Sequence, residues 1–356
     1  MAPLTLDPRG SACSLAASAL GAAAEVDDFG IDVAATLDWC QGVGQRAPMV
    51  GDGATRQLWE LLAATARLSV SAARMLEPHL DALSILEQSS DDSAASSAEN
   101  IESIEVTPHS TWGVFAAEAA DLRLAAIERE GRWELSGTKP WCSLGADLTH
   151  ALVTATRNDG RRQLFAVNLG AAGVEAHTGP WFARGLSDVV SAPITFEKVP
   201  AVPVGEPGWY LTRPGFAWGG MSVAACWWGA AEGVAKPLQT AAASDRADQL
   251  ARVHLGNADA ALWAARATLS EAADLVDSGH VAAAEAKILA ERVRTVVAGA
   301  ATRVLAETDA ALGPAPLVAD DAHARRVADL HLYLRQHHGL RDSERLGRNL
   351  VAEAEH

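Results

Sequence analysis

The stretch GTKPWCSLGAD, residues 137–147, sets a large ring, a thiol and a hydroxyl side by side between two strand-like runs. Trp133-Glu134-Leu135-Ser136-Gly137 leads into it, and Ala151-Leu152-Val153-Thr154-Ala155 follows. Turns select Gly, Pro, Asn, Asp and Ser, each for a backbone reason. A Trp there needs another explanation, either packing or a flat ligand. Trp141 has the area to lie against such a ligand, and the Ser143 hydroxyl can donate or accept as its partner requires. The structural alternative is that Trp141 plugs the end of a barrel and Ser143 caps a turn. A metal site is not indicated: His331 and His338 lie two helical turns apart, but no Asp, Glu or Cys completes a set.

Several kinds of element must position these residues. Leu58, Leu61, Leu62, Leu68, Ala72, Met75, Leu76, Leu80, Leu83 and Leu86 recur at helical spacing, which predicts a helix over 56–88 with a kink at Pro78. Residues 89–103, small, polar and acidic, read as a linker. From about 106 to 208 the texture is β. Leu122–Ile127, Leu148–Thr156, Gln163–Asn168 and Ala192–Phe196 are short runs between turn signals, and Asn158-Asp159-Gly160 is a hairpin cue. After Pro214, four helical stretches at about 215–243, 245–277, 281–312 and 319–350 predict a four-helix bundle. The expected division is an N-terminal helical domain over 1–105, a small β-barrel or sandwich over 106–208, and a four-helix bundle over 209–356, an α+β multidomain chain.

Composition narrows the function classes. The chain has 356 residues and a formal net charge of -16, from 29 Lys+Arg against 45 Asp+Glu. Nucleic acid and anionic membranes both require a basic footprint, so neither is an expected partner. No apolar run is long enough to span a bilayer. Residues 11–24, Ala-rich and preceded by Asp7, read as an N-terminal helix rather than a signal peptide. The four cysteines are scattered without a C-x-x-C pair, which fits a cytoplasmic setting.

The layout, with GRWELSGTKPWCSLGADLTHALVTA, GVEAHTGPWFARGLSDVVSAPITFEKVPAVPVG and AEAKILAERV, resembles the acyl-CoA dehydrogenase family. The resemblance covers most of the chain from about residue 56 and is clearest in the β segment. It implies an FAD-dependent oxidoreductase acting on an acyl thioester, CoA-linked, or on a related small molecule, and a homodimer or homotetramer. It implies that Trp141 walls the flavin ring, that Ser143 bonds near its reactive nitrogen, and that Gln249 helps bind the rest of FAD. Arg246 or Arg252 would meet the phosphates, because a guanidinium suits phosphate geometry. For either Arg alone, a solvated helix face beside Asp245 or Asp248 is the competing reading.

Four departures bear on function. Ala117 stands where the family has Thr, beside a retained Glu118, and the following Gly-Ser is missing. The Phe-Gly after the bundle Arg is absent, as is the terminal Glu-Gly-Thr. The family's catalytic Glu, counted eight residues from an Asp matched by Asp329, falls on His337, with His338 next to it. The other family location, the start of the first bundle helix, reads Phe216-Ala217-Trp218-Gly219-Gly220-Met221, again without an acid. His337 or His338 is therefore the candidate base, since an imidazole with pKa about 6.5 is largely neutral at physiological pH. The competing reading is a polar helix end. A flavin monooxygenase on the same fold, or a non-catalytic relative, are the rival functions. Trp218, Trp227 and Trp228 line an aromatic substrate pocket in one reading and form core or subunit interface in the other.

Overall fold

A computed structural model describes residues 4–7, 13–92, 102–245 and 247–354. Among the described residues, four helices come first: α1 Ser14–Ala23, α2 Val33–Gly44, α3 Thr55–Leu68 and α4 Val70–Asp92. The single helix expected over 56–88 is thus two. Ser69 leaves the helical region, and its hydroxyl accepts from the Ala72 N–H at 3.2 Å, capping α4. Pro78 lies inside α4 and offers no N–H to the Arg74 carbonyl one turn back. The Ala-rich stretch near the start forms α1. Most of the expected linker over 89–103 lies outside the described residues.

The strands are β1 Trp112–Phe115, β2 Leu124–Arg129, β3 Arg132–Ser143, β4 His150–Arg157, β5 Arg162–Asn168, β6 Val174–Ala176 and β7 Ser191–Val204. β2, β3, β7, β5 and β4 pair in succession, and β4 returns to β2, closing a small barrel. Closure leaves these strands fewer free edges, a physical reason for barrel over sandwich. β1 runs parallel to the first half of β4, and β6 pairs with β7. The Asn158-Asp159-Gly160 turn joins β4 to β5 in antiparallel register, with Gly160 at φ 80°. The register of β3 on β7 shifts between Lys139 and Cys142, so β3 bulges at Trp141. Beside the bulge, the buried Lys139 Nζ donates to Glu118 at 2.9 Å and to Thr154 at 2.8 Å.

A short α5 Trp209–Thr212 leads into α6 Pro214–Ala242, α7 Gln249–Asp277 and α8 Ala283–Leu312. These three long helices match the expected periodicity. α6 packs against α3, α7 and α8, and Trp227 and Trp228 are fully buried along it. The fourth expected helix is broken. It becomes α9 Ala315–Ala319, α10 Asp321–Tyr333 and α11 Leu340–Ala354. Asp320 caps α10 by accepting from the His323 N–H at 3.0 Å, and Asp342 accepts from the His338 N–H at 3.1 Å at the start of α11. These local bonds compete with one continuous helix. Among the described residues, no helix is long and apolar enough to cross a membrane.

Candidate active site

A cavity of about 800 Å³ lies where α4, the end of β1, the start of α6, α8 and α11 converge. That is within the range of small-molecule and cofactor sites, roughly 300–1,000 Å³. From α4, Arg74, Glu77 and Asp81 reach it, because positions three and seven apart share a helix face. Met75, Leu76 and Leu80 turn the other way into the core. β1 and the residues after it add Val114, Ala116 and Ala117; α8 and α11 add Arg294, Glu291, Asp342 and Arg345.

The two α4 carboxyls differ. Asp81 faces the Arg213 guanidinium at 3.6 Å, an ion pair too long for a hydrogen bond. Burial raises its pKa against the pull of Arg213. Glu77 is buried, and its nearest cation is Arg74 Nη1 at 3.7 Å. Among the described residues its carboxylate accepts no hydrogen bond. Burial pushes its pKa to about 7; the Asp81 charge adds to the rise, while Arg74 and Arg294 oppose it.

Arg294 is the cavity's other unusual group. It donates to the Gly220 carbonyl at 2.8 Å and the Gln336 carbonyl at 3.0 Å, and its guanidinium carbon stands 4.7 Å from the centroid of the Trp227 ring. It thus has backbone acceptors and an aromatic face but no carboxylate within 4 Å among the described residues. Burial lowers its pKa. On α11, Arg345 joins Glu291 and Asp342, tying that helix to α8 at the cavity edge.

No protein-family model matches the chain, and no curated protein matches it in sequence. Solved structures do match. KijD3, in complex with FMN and a dTDP-linked sugar, aligns with TM-score 0.76 at 20% identity over 96% of this chain and 91% of that one. Dibenzothiophene monooxygenase TdsC from Paenibacillus sp. A11-2, with FMN and indole, aligns with TM-score 0.78 at 17% identity over 96% of both chains. A steroid acyl-CoA dehydrogenase aligns with TM-score 0.71 at 20% identity over 96% of this chain and 97% of that one. The chain has the acyl-CoA dehydrogenase-like fold.

On the acyl-CoA dehydrogenase-like fold the sequence-predicted residues fall as follows. Trp141 stands on the β3 bulge at φ 57°, with 59% of its surface exposed. A bulky side chain in the left-handed region is strained, and here the strain holds a large ring outward. Ser143 ends β3; its hydroxyl lies 2.7 Å from Ser191 Oγ and accepts from Arg74 Nη2 at 3.2 Å. Arg74 therefore links Ser143 to the cavity. Gln249 is exposed at the first residue of α7, and Arg246 lies outside the described residues.

The two histidines separate. His338 borders the cavity, its side chain 63% exposed and its Nδ1 3.6 Å from Asp342. His337 is not part of the cavity wall, although its Nε2 lies 3.8 Å from Asp342, which is. Its Nε2 lies 3.4 Å from Thr295 Oγ1 and its ring is edge-on to Trp227, and burial lowers its pKa. Asp329, from which His337 was counted, is a buried tie: it accepts from the Leu186 N–H and, at 3.2 Å, from Ser71. Trp218, Trp227 and Trp228 are absent from the cavity wall, and the latter two are core, so the aromatic-pocket reading is replaced by packing. Sequence reasoning missed Glu77, Asp81 and Arg294. For the first two the signal was available: carboxylates four apart inside the Leu-rich run RMLEPHLDAL.

Proposed function

We propose that the chain is a flavin-dependent oxidoreductase whose substrate is a compact polar molecule bound in the 800 Å³ cavity. The observation that carries this reading is Arg74, which donates to Ser143 on one side and borders the cavity on the other. It joins the expected flavin-contact residues to a substrate-sized space. The residues present fit a flavin ring: Trp141 offers an exposed aromatic face, and Ser143 and Arg74 offer polar contacts for a heterocycle edge. A bound flavin supplies the electron-accepting or oxygen-reacting centre. Trp141 then serves as the wall for the ring, and Ser143, steadied by Ser191 and Arg74, orients it.

Nine charged side chains line the cavity, among them Arg74, Glu77, Asp81, Arg213, Arg294 and Arg345, and make it a poor match for a long acyl tail. This favours a small polar substrate over a CoA-linked fatty acyl chain. FAD is the flavin implied by the sequence resemblance. FMN is the second reading, favoured because the KijD3 and TdsC complexes contain it. Exposed Leu250, Val253 and Trp263 on α7 support a homodimer or homotetramer.

The test is visible absorption of the purified protein after loading with FAD or FMN, oxidised and reduced, and removal of excess. Retained flavin absorbance in any of these supports the reading, and chromatography of the released flavin separates FAD from FMN. Protein that retains none and quenches no flavin fluorescence under any of these conditions refutes it. In Trp141→Ala, loss of ring stacking costs about 1 kcal/mol, roughly fivefold in Kd, measured by fluorescence titration. Oxygen consumption with reduced flavin, against transfer to an artificial acceptor, separates monooxygenase from dehydrogenase chemistry.

A further inference from the structure

Neither family location for a catalytic acid carries one here, yet the cavity contains carboxyls that come from α4. A Cβ added at Gly219 would stand 2.9 Å from Asp81 Oδ1, and one at Gly215 would stand 2.1 Å from Arg213 Nη1. The start of α6 is therefore stripped of side chains where the α4 acids and their arginine need room. Asp81 is engaged by Arg213. Glu77 is buried on the wall between Arg74, whose Nη1 is 3.7 Å away, and the open cavity, and it accepts no hydrogen bond from a described residue. A buried acceptor left in that state has unmet capacity for a donor.

We propose that Glu77 is the residue that takes a proton from the substrate in this cavity. The inference rests on the cavity being the substrate site of the proposed oxidoreductase. In the step, an X–H bond of the substrate breaks, the proton passes to a Glu77 carboxylate oxygen, and the electron pair stays on X. A bound flavin would supply the oxidant for that electron-rich centre. Arg74 and Arg294 meet the anion as it forms. The substrate class is thus a compact weak acid, with a C–H, N–H or O–H bond whose conjugate base two guanidinium groups stabilise.

The groups around Glu77 are consistent with that role. Arg74 and Asp81 share its helix, Arg294 comes from α8, and Arg213 acts through Asp81. Tyr210, Cys226 and Tyr333 also sense its charge, and burial keeps all three protonated. With its pKa near 7, Glu77 exchanges protons at neutral pH, where a general base is most effective.

Nitroethane, a compact carbon acid, is the probe. Purified protein is incubated with it in buffered heavy water, and loss of the α-hydrogen signal is followed by proton NMR, with no flavin required. The wild type accelerates exchange over buffer, and the rate rises with pH to a plateau above about 7. Glu77→Gln slows exchange by roughly 100-fold, whereas Glu77→Asp retains part of it. A melting curve for Glu77→Gln no less cooperative than the wild type's excludes unfolding as the cause. Exchange no faster than buffer, wild-type exchange by Glu77→Gln, or a loss seen in His338→Gln instead, overturns the proposal. Exchange without flavin retention sinks the flavin reading and leaves the role of Glu77; flavin retention without exchange does the reverse.

Discussion

Glu77→Gln should change stability in a pH-dependent way, and the magnitude follows from the site. The carboxyl titrates at 4.5 when solvated and at about 7 in the folded chain, chiefly because it is buried. Its folded pKa is raised, so the native state holds the proton over a window in which the unfolded chain has released it. Stability from this group is present in full below about 4.5 and is lost as pH rises through about 7. At about 1.4 kcal/mol per pH unit, the window corresponds to about 3 kcal/mol. A Gln of nearly the same shape never ionises and avoids the loss. Denaturant unfolding at acidic and at mildly alkaline pH measures the difference between wild type and variant. Glu77→Gln should match the wild type near pH 4 and exceed it by about 3 kcal/mol above neutrality. Asp81, Arg74 and Arg294 are present in both proteins, so their own titrations largely cancel. A stability difference that is the same at every pH would refute the reasoning, because it would mean that Glu77 ionises as freely as in the unfolded chain.

Other perturbations follow from packing. Gly219→Ala drives a methyl to 2.9 Å from Asp81 Oδ1 and should destabilise by ~1–3 kcal/mol in denaturant unfolding. Gly256→Ala, on α7 with no atom within 4 Å of the added methyl, should instead be neutral or stabilise by up to ~1 kcal/mol. Asp329→Ala leaves the buried Leu186 N–H without its acceptor and should cost about 1–3 kcal/mol by the same measurement.

The barrel and the three long bundle helices were legible because their signals are local. A hairpin needs only Asn158-Asp159-Gly160 between two apolar runs, and a long helix declares its buried stripe by spacing alone. The fourth bundle helix was not legible in the same way. Its break between Tyr333 and Leu340 depends on Asp342 capturing the His338 N–H, while His337 is drawn toward Thr295 of another helix. Counting eight residues from Asp329 followed the spacing of the resembled family, and it ended on a half-buried imidazole beside Thr295, Trp227 and Asp342, off the cavity wall. The region from 56 to 88 was read through its leucines. The charges at 74, 77 and 81 form their own stripe on that helix, opposite the apolar one, and their use emerges only when α6 and α8 supply the facing arginines.

The cavity is open to carboxyls from several parts of the chain. Five α-helices and the end of one strand converge on it, so a carboxyl can enter from any of them. If α6 carried a side chain at 219, it would occupy the volume beside Asp81 Oδ1. With glycine there, α4 approaches, and its Arg74–Glu77–Asp81 face fills the space with both acids and one counter-ion. The pairing is uneven: Arg213 is committed to Asp81 and Gln88, and Arg294 to two backbone carbonyls. Glu77 has Arg74 Nη1 at 3.7 Å and no hydrogen bond from a described residue, and its burial raises its proton affinity on a wall that a ligand can reach.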